Sequence, residues 1–361
     1  MRRSKLPALL LRADASPTIG LGHAMRLLAL AQAYLDARGL VHWAFAELPG
    51  TVQNRLAGEG ISLHRIDEPP GSPGDARATG AVARAVGAEW LAVDGYHFDA
   101  EYQHAAKGSG VSLLVLDDLG EQPFYPADIV VNQNVHAETL SYQVPPSTKL
   151  LLGPRYALLR REFLSLRETL RPVSDRVEHI LVTFGGSDPD NLTGLALGAL
   201  ATLRLAETTI HVVLGGANPH REELSRLAAQ LPSRVNLLYD VRDMPQLMAT
   251  ADLALAAAGV TALELALCGV PAVLCAIATN QEAALQAMEE RGTAISIGPA
   301  HCTSADIIRT AVLRLLHDPD MRRSLSARSL EMVDGGGVWR VLDAMFPAAG
   351  FPVKQDSARD E

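Results

Sequence analysis

Residues 9–38 read LLLRADASPTIGLGHAMRLLALAQAYLDAR, and this stretch decides the fold. Leu9–Asp14 is short and apolar, as a strand buried on both faces must be, and it leads into the turn Ile19-Gly20-Leu21-Gly22. From His23 to about Arg38 the apolar residues recur at helical spacing. A buried strand, a glycine turn and an amphipathic helix form the opening unit of a parallel sheet covered by helices. The two glycines let the backbone come close to a ligand, and the first N–H groups of the helix favour an anion. The turn is not a dinucleotide fingerprint, because Met25 stands where the third glycine belongs and no acidic residue ends the next strand, Val41–Ala46. His23 opens the helix, where the positive end of the dipole favours the neutral imidazole that a general base needs.

The same alternation continues outward. Leu91–Asp94, Val111–Asp117 and Ile129–Asn132 complete the strands expected of a first half. Gly153 to Ser174 carries no strand signal and ends beside Pro172, so it reads as the joining stretch. Strands are then predicted at His179–Phe184, Ile210–Leu214, Val235–Leu238, Leu253–Ala257, Ala272–Ala276 and Ala294–Ile297. The expectation is α/β class, with two Rossmann-like doubly wound domains over residues 1–165 and 166–347, and a frayed tail at 348–361. Ligands of open α/β sheets bind beyond the carboxyl ends of the strands, so the site is expected in a cleft between the two halves.

Composition narrows the function. A chain of 361 residues with 48% hydrophobic residues has the material for sizeable cores. Its 32 Lys and Arg against 41 Asp and Glu leave a net charge of −9, which gives no general attraction for nucleic acid or for an anionic membrane. Cys268, Cys275 and Cys302 are too few and odd in number for a disulfide framework. The apolar run at the start stops at Arg12 and Asp14, too short for a secretion signal, and Leu265–Ala278 is interrupted by Gly269 and Pro271. A cytoplasmic protein is expected. The histidines show no zinc spacing, and Asp117-Asp118 reads as a cap or turn pair, so no metal and no cofactor are expected.

Three loops of the second half could carry chemistry. Phe184-Gly185-Gly186-Ser187-Asp188-Pro189 repeats the logic of the first turn, with Asp188 or Asn191 placed to cap a helix starting near Pro189. Gly259-Val260-Thr261 opens a helix after a strand, and Glu264 follows early enough to reach a ribose diol. Asn280 and Gln281 follow the next strand and could orient a sugar or a water.

Taken together, IGLGHAMR, VDGYHFD, LDDLGEQPFYPADIVVNQN, LLGPRYALLRREF, VTFGGSDPDNLT, DMPQLMATADLAL, GVTALELALCGVP, ATNQ and DGGGVWRVLD resemble the nucleotide-sugar hydrolases of pseudaminic acid biosynthesis. Those enzymes release UDP from UDP-2,4-diacetamido-2,4,6-trideoxy-β-L-altropyranose. The likeness runs from about Leu9 to Asp343 and implies the GT-B fold, with water in the place of a transferase's acceptor. It implies that His23 directs the attacking water and that Tyr96 stands near the sugar. The nucleotide is then expected at Gly22, Gly185, Gly186, Val241, Met244, Gly259, Val260, Thr261 and Glu264, and the sugar at Asp14, Asn280 and Gln281.

The implied reaction is inverting, metal-independent hydrolysis of a UDP-amino-sugar. A diphosphate needs no strong acid to leave, and one neutral histidine supplies about 10²–10⁴-fold as a base. Two alternatives stand beside it: a GT-B glycosyltransferase using a UDP-amino sugar, and a sugar-nucleotide binding protein without turnover.

Overall fold

The computed structural model describes residues 6–203, 205, 207–239, 241 and 243–351. The chain divides into two compact units, residues 1–161 with 335–361, and residues 162–334.

The first unit runs β1 (Ala8–Ala13), α1 (Gly22–Asp36), β2 (Leu40–Phe45), α2 (Gly50–Gly58), β3 (Ser62–Arg65), α3 (Pro73–Val86), β4 (Ala88–Asp94), α4 (Ala100–Lys107), β5 (Ser112–Leu116), β6 (Ile129–Asn132) and β7 (Lys149–Leu152). Its strands are all parallel, in the order β3-β2-β1-β4-β5-β6-β7. All six residues of β1 are buried, because helices cover both faces of the sheet.

After the short α5 (Arg161–Leu164), the second unit runs β8 (His179–Thr183), α6 (Leu192–Ala201), β9 (Thr209–Leu214), α7 (Arg221–Gln230), β10 (Arg234–Tyr239), α8 (Met244–Thr250), β11 (Leu253–Ala257), α9 (Val260–Leu267), β12 (Ala272–Ala276), α10 (Glu282–Glu290), β13 (Ile295–Pro299), α11 (Ala305–His317) and α12 (Pro319–Met332). Its parallel sheet has the order β10-β9-β8-β11-β12-β13. Leu253, Leu255, Val273 and Cys275 form its fully buried centre. In both sheets the chain runs outward, returns to the far side of its first strand and continues the other way. This order puts one topological switch point between β1 and β4 and another between β8 and β11.

The structure corrects the sequence reading in four places. Two edge strands, β3 and β7, escape the pattern, since SLHR and KLLL are only four residues long and half exposed. α6 starts at Leu192, not near Pro189. The expected domain ranges also misplace α13 (Gly337–Met345), which returns to the first unit. There Phe346 stacks on Tyr34 at 5.1 Å, and Arg340 Nη1 donates to the Arg155 carbonyl at 2.8 Å. Gly337 permits this return, because a Cβ there would lie 2.4 Å from the Ala157 carbonyl oxygen. Finally, the stretch 348–361, read as a frayed tail, includes a 3₁₀ turn at Pro347–Ala349, while its residues 352–361 lie outside the described ones.

Candidate functional site

At the switch point of the first unit, the ends of β1, β4, β5 and β6 deliver a connected polar cluster. His23 and Arg26 are three residues apart on α1 and so share the face that packs toward the sheet. Both are buried. His23 Nδ1 lies 2.6 Å from Asp94 Oδ1 at the end of β4. An ionised carboxylate only accepts, so Nδ1 carries the proton and the lone pair is left on Nε2. Nε2 has no protein partner among the described residues.

Arg26 holds the cluster together. Its Nε and Nη2 donate to the two Asp94 oxygens at 2.9 and 2.7 Å, and Nη1 and Nη2 donate to those of Asp118 at 2.6 and 3.1 Å. Asp118 also accepts from Asn134 Nδ2 at 2.7 Å and from the Tyr96 hydroxyl at 2.8 Å. Burial opposes ionisation of Asp118, but the Arg26 guanidinium outweighs it and holds this carboxyl well below the usual range. Burial alone would make Arg26 easier to deprotonate, yet Asp118 and Asp94 raise its pKa well above the ordinary value. Tyr96 is half exposed, and its ring meets the His23 imidazole edge-on at 4.9 Å. The pair expected from the sequence, His23 and Tyr96, is therefore brought together.

Asp14 is a correction. Its carboxylate is fully enclosed, pairs with Arg12 at 2.8 Å, and accepts from the backbone of Ala46 and Glu47 at 2.7 and 2.9 Å. His97 Nε2 reaches its other oxygen at 3.1 Å. Enclosed by these contacts, with no side-chain surface exposed, Asp14 ties the loops after β2 and β4 to the end of β1 and does not face a sugar. Asp117 follows the sequence reading: its oxygens accept from the Leu119 and Gly120 amides and from the Tyr125 and Tyr142 hydroxyls. Its neighbour Asp118 does not, since it belongs to the His23 cluster.

Gly22 is the exposed first residue of α1, and the N-cap Leu21 makes no side-chain cap to the helix start. In the second unit the equivalent turn differs. Asp188 accepts from the Leu192 and Thr193 amides at 2.9 and 3.0 Å, and Asn191 from Gly194 at 3.1 Å. The start of α6 is thus satisfied internally, while Gly185 and Gly186 ahead of it are exposed. That loop packs so closely on Gly215 that a Cβ there would lie 2.3 Å from the Gly186 carbonyl oxygen.

The strand ends of β8, β11 and β12 are neighbours, which brings Gly185, Gly186, Gly259, Val260, Thr261, Asn280 and Gln281 to one side of the sheet. Gly259 begins α9 without a side-chain cap. Gln281 Oε1 accepts from the Ile277 amide at 3.1 Å, and its Nε2 would lie 3.2 Å from a Cβ at Gly259, so this side chain lies against the start of α9 where only a glycine leaves it room. Glu264 is buried in the second turn of α9, where with burial it pushes the Cys268 thiol up to about 12. Val241 and Met244 follow β10, at the sheet edge two strands from β8.

Sequence reasoning missed Asp94, Arg26, Asp118 and Asn134. A signal existed for two of them, because β4 ends in Asp94, β5 is followed directly by Asp117 and Asp118, and the two strands lie side by side. Their convergence on one guanidinium required the tertiary structure.

Two sheets of this order, each with its polar loops at the carboxyl ends, define the GT-B fold. Residues 178–318 match the sequence model of Glycosyl transferases group 1. MurG from Acinetobacter baumannii superposes with a TM-score of 0.67 at 17% identity, over 93% of this chain and 98% of its own. HepE from Anabaena, solved with UDP and glucose, gives 0.62 at 17% identity, over 94% and 99%. Among proteins similar in sequence, the spore coat polysaccharide biosynthesis protein SpsG of Bacillus subtilis is 28% identical over 63% of this chain and 67% of its own length. The UDP-N-acetylglucosamine--N-acetylmuramyl-(pentapeptide) pyrophosphoryl-undecaprenol N-acetylglucosamine transferase of Carboxydothermus hydrogenoformans is 30% identical over 45% of this chain, which spans about half of that protein (46%). No helix among the described residues is long and apolar enough to cross a membrane.

Proposed function

We propose that this protein is a GT-B sugar-nucleotide enzyme that moves a sugar from UDP to an acceptor hydroxyl, in the making of a polysaccharide or related glycan. The observation that carries the reading is the buried His23–Asp94 pair, with Nδ1 committed to the carboxylate and Nε2 available. Such a dyad takes a proton from a hydroxyl as it attacks the anomeric carbon, and Asp94 stabilises the imidazolium that results. UDP carries the departing negative charge. Its diphosphate is assigned to the backbone amides of Gly185, Gly186, Gly259, Val260 and Thr261, the last three at an uncapped helix start. Glu264 is assigned to the ribose, the Val241–Met244 segment to the base, and Asn280 and Gln281 to the sugar. The match of residues 178–318 to group 1 transferases and the UDP-bound neighbour HepE support this assignment.

The same base acts equally on water, and the likeness of residues 9–343 to the pseudaminic acid hydrolases favours that second reading for a diacetamido sugar. Incubating the protein with UDP-sugars, with and without acceptor glycans, separates the two. UDP release that depends on an acceptor supports transfer, and equal release without one supports hydrolysis. A protein that binds UDP without releasing it from any sugar nucleotide would overturn both.

A further inference from the structure

Beside the His23–Asp94 pair, the first unit has a half-open cavity of about 230 Å³, between the ends of β4 and β5, the helix α4 and the loop 119–123. Val93, Phe98 and Leu116 give it apolar walls. Its polar wall includes Gln103, which is fully buried. The Gln103 Nε2 donates to the Phe98 carbonyl at 2.9 Å, but its Oε1 is buried with no hydrogen-bond partner. A buried amide oxygen without a donor is costly to maintain, so a native fold that keeps one beside a cavity calls for an explanation.

We propose that this cavity is a subsite for one uncharged sugar ring, and that Gln103 Oε1 accepts a hydrogen bond from an O–H or N–H of that ring. Three properties of the cavity converge on this class. Its volume falls below the roughly 300–1,000 Å³ of sites that hold drug-sized molecules, so it takes a ring and not a nucleotide. The carboxylates of Asp94, Asp117, Asp118 and Glu121 line it against the single guanidinium of Arg26, which repels phosphate and uronate groups. The lone pairs of Asp94 and Asp118 are already engaged by Arg26, His23, Tyr96 and Asn134, and those of Asp117 by Leu119, Gly120, Tyr125 and Tyr142, so that of the buried side chains lining the cavity Gln103 is the one whose oxygen lacks a donor, while Glu121 is exposed to water. His23 also lines this cavity, so a ring held here stands beside the base. The ring comes either from the acceptor or from the sugar nucleotide.

This inference rests on the sugar-handling reading above, and the test keeps the two apart. Calorimetry on the full chain uses UDP, UDP-glucose, UDP-N-acetylglucosamine, a set of neutral methyl glycosides (glucoside, galactoside, mannoside, N-acetylglucosaminide) and methyl glucuronide. Gln103→Met removes the acceptor at similar volume, while Gln122 Nε2 still donates to the Phe98 carbonyl at 3.3 Å. The expected result is unchanged UDP affinity with about a tenfold loss for one ligand class. A loss confined to the methyl glycosides identifies the ring as the acceptor's, and a loss confined to the UDP-sugars relative to UDP identifies it as the donor's. Unchanged affinity for every sugar in the variant overturns the proposal. Should the variant fail to fold, the wild-type protein decides: preference for a neutral glycoside over the glucuronide supports the subsite, and equal binding of the two, or binding of no sugar, overturns it. Failure of UDP to bind the wild-type chain would instead refute the nucleotide reading and leave the glycoside arm intact.

Discussion

Asp94 Oδ1 lies 2.6 Å from His23 Nδ1 and 2.7 Å from Arg26 Nη2, so one carboxylate oxygen both sets the tautomer of the imidazole and anchors the guanidinium beside it. His23 is tied to the sheet through Asp94, and Asp94 is tied to the next strand through Arg26 and Asp118. The predictions below start from that chain of contacts.

Replacing His23 with Asn or Ala is expected to lower kcat by about 10²–10⁴-fold while leaving UDP affinity within a few-fold, because the side chain is assigned to the nucleophile. Asp94→Asn is expected to act in the same direction, since an amide can present a donor to Nδ1 and reverse the tautomer. Steady-state rates of UDP release and calorimetric UDP binding check both, and a His23 variant with near wild-type kcat would refute the base assignment.

Arg26→Met leaves the buried carboxylates of Asp94 and Asp118 without their common cation. Breaking a buried ion pair by removing one partner costs about 3–5 kcal/mol. Urea unfolding monitored separately for the two units is expected to show that loss in the first unit. A change below about 1 kcal/mol would mean that the carboxylates find other partners.

Glu264→Ala is expected to weaken UDP binding by about 1.5–3 kcal/mol, the range for hydrogen bonds to a charged group. Calorimetry with UDP and with uracil-free pyrophosphate makes the test specific. A ribose contact requires that only UDP be affected.

Two cross-strand histidine pairs make stability depend on pH. His42 Nδ1 lies 3.0 Å from His64 Nε2, and His179 Nδ1 lies 3.2 Å from His211 Nε2. Burial lowers the pKa of His42, His64 and His211, with the partner ring adding to the shift for His42 and His211. The unfolded chain therefore binds protons that the folded one refuses. This contribution is complete above the ordinary histidine value of about 6.5 and is lost as pH falls from there through the lower folded-state values. Burial raises the Asp117 carboxyl, which works in the opposite sense at lower pH, and the depressed carboxyl of Asp118 loses its contribution only below the ordinary Asp range. Melting temperatures are expected to be close to each other at pH 8 and 6.5 and lower at pH 5, with a smaller drop to pH 5 in His64→Gln. An equal slope in that variant would assign the acid sensitivity elsewhere.

UDP release is expected to persist in EDTA. The oxygens of Asp117 already accept from four donors, and those of Asp118 from Arg26, Tyr96 and Asn134, so neither carboxylate has the free lone pairs that Mg²⁺ requires. A rate abolished by EDTA and restored by Mg²⁺ would contradict this.

Much of the architecture is legible in the sequence because parallel strands buried on both faces must be continuously apolar. Leu9–Leu11, Leu253–Ala257 and Ala272–Ala276 could be read from that requirement alone. The glycine turns at Gly20–Gly22 and Gly185–Gly186 mark the first strand of each sheet for the same local reason. His23 is legible too, as the polar residue that opens the helix after such a turn. SLHR and KLLL are not, because an edge strand needs only one buried face and leaves a weak signal over four residues.

Partnerships between distant residues are a different kind of fact. Arg26 reads in the sequence as one charged residue on an amphipathic helix, Asp94 as the end of a strand, Asp118 as half of a cap or turn pair, and Asp14 as a sugar contact. The strand order β1-β4-β5 brings the first three together and sends Asp14 inward to Arg12 and the Ala46 and Glu47 amides. Likewise α13, read as part of the second half, belongs to the first because Gly337 permits the backbone to close on Ala157. Local periodicity and turn chemistry depend on near neighbours and are written along the chain. The sign and partner of a buried charge depend on which strands lie side by side, and only the folded sheet decides that.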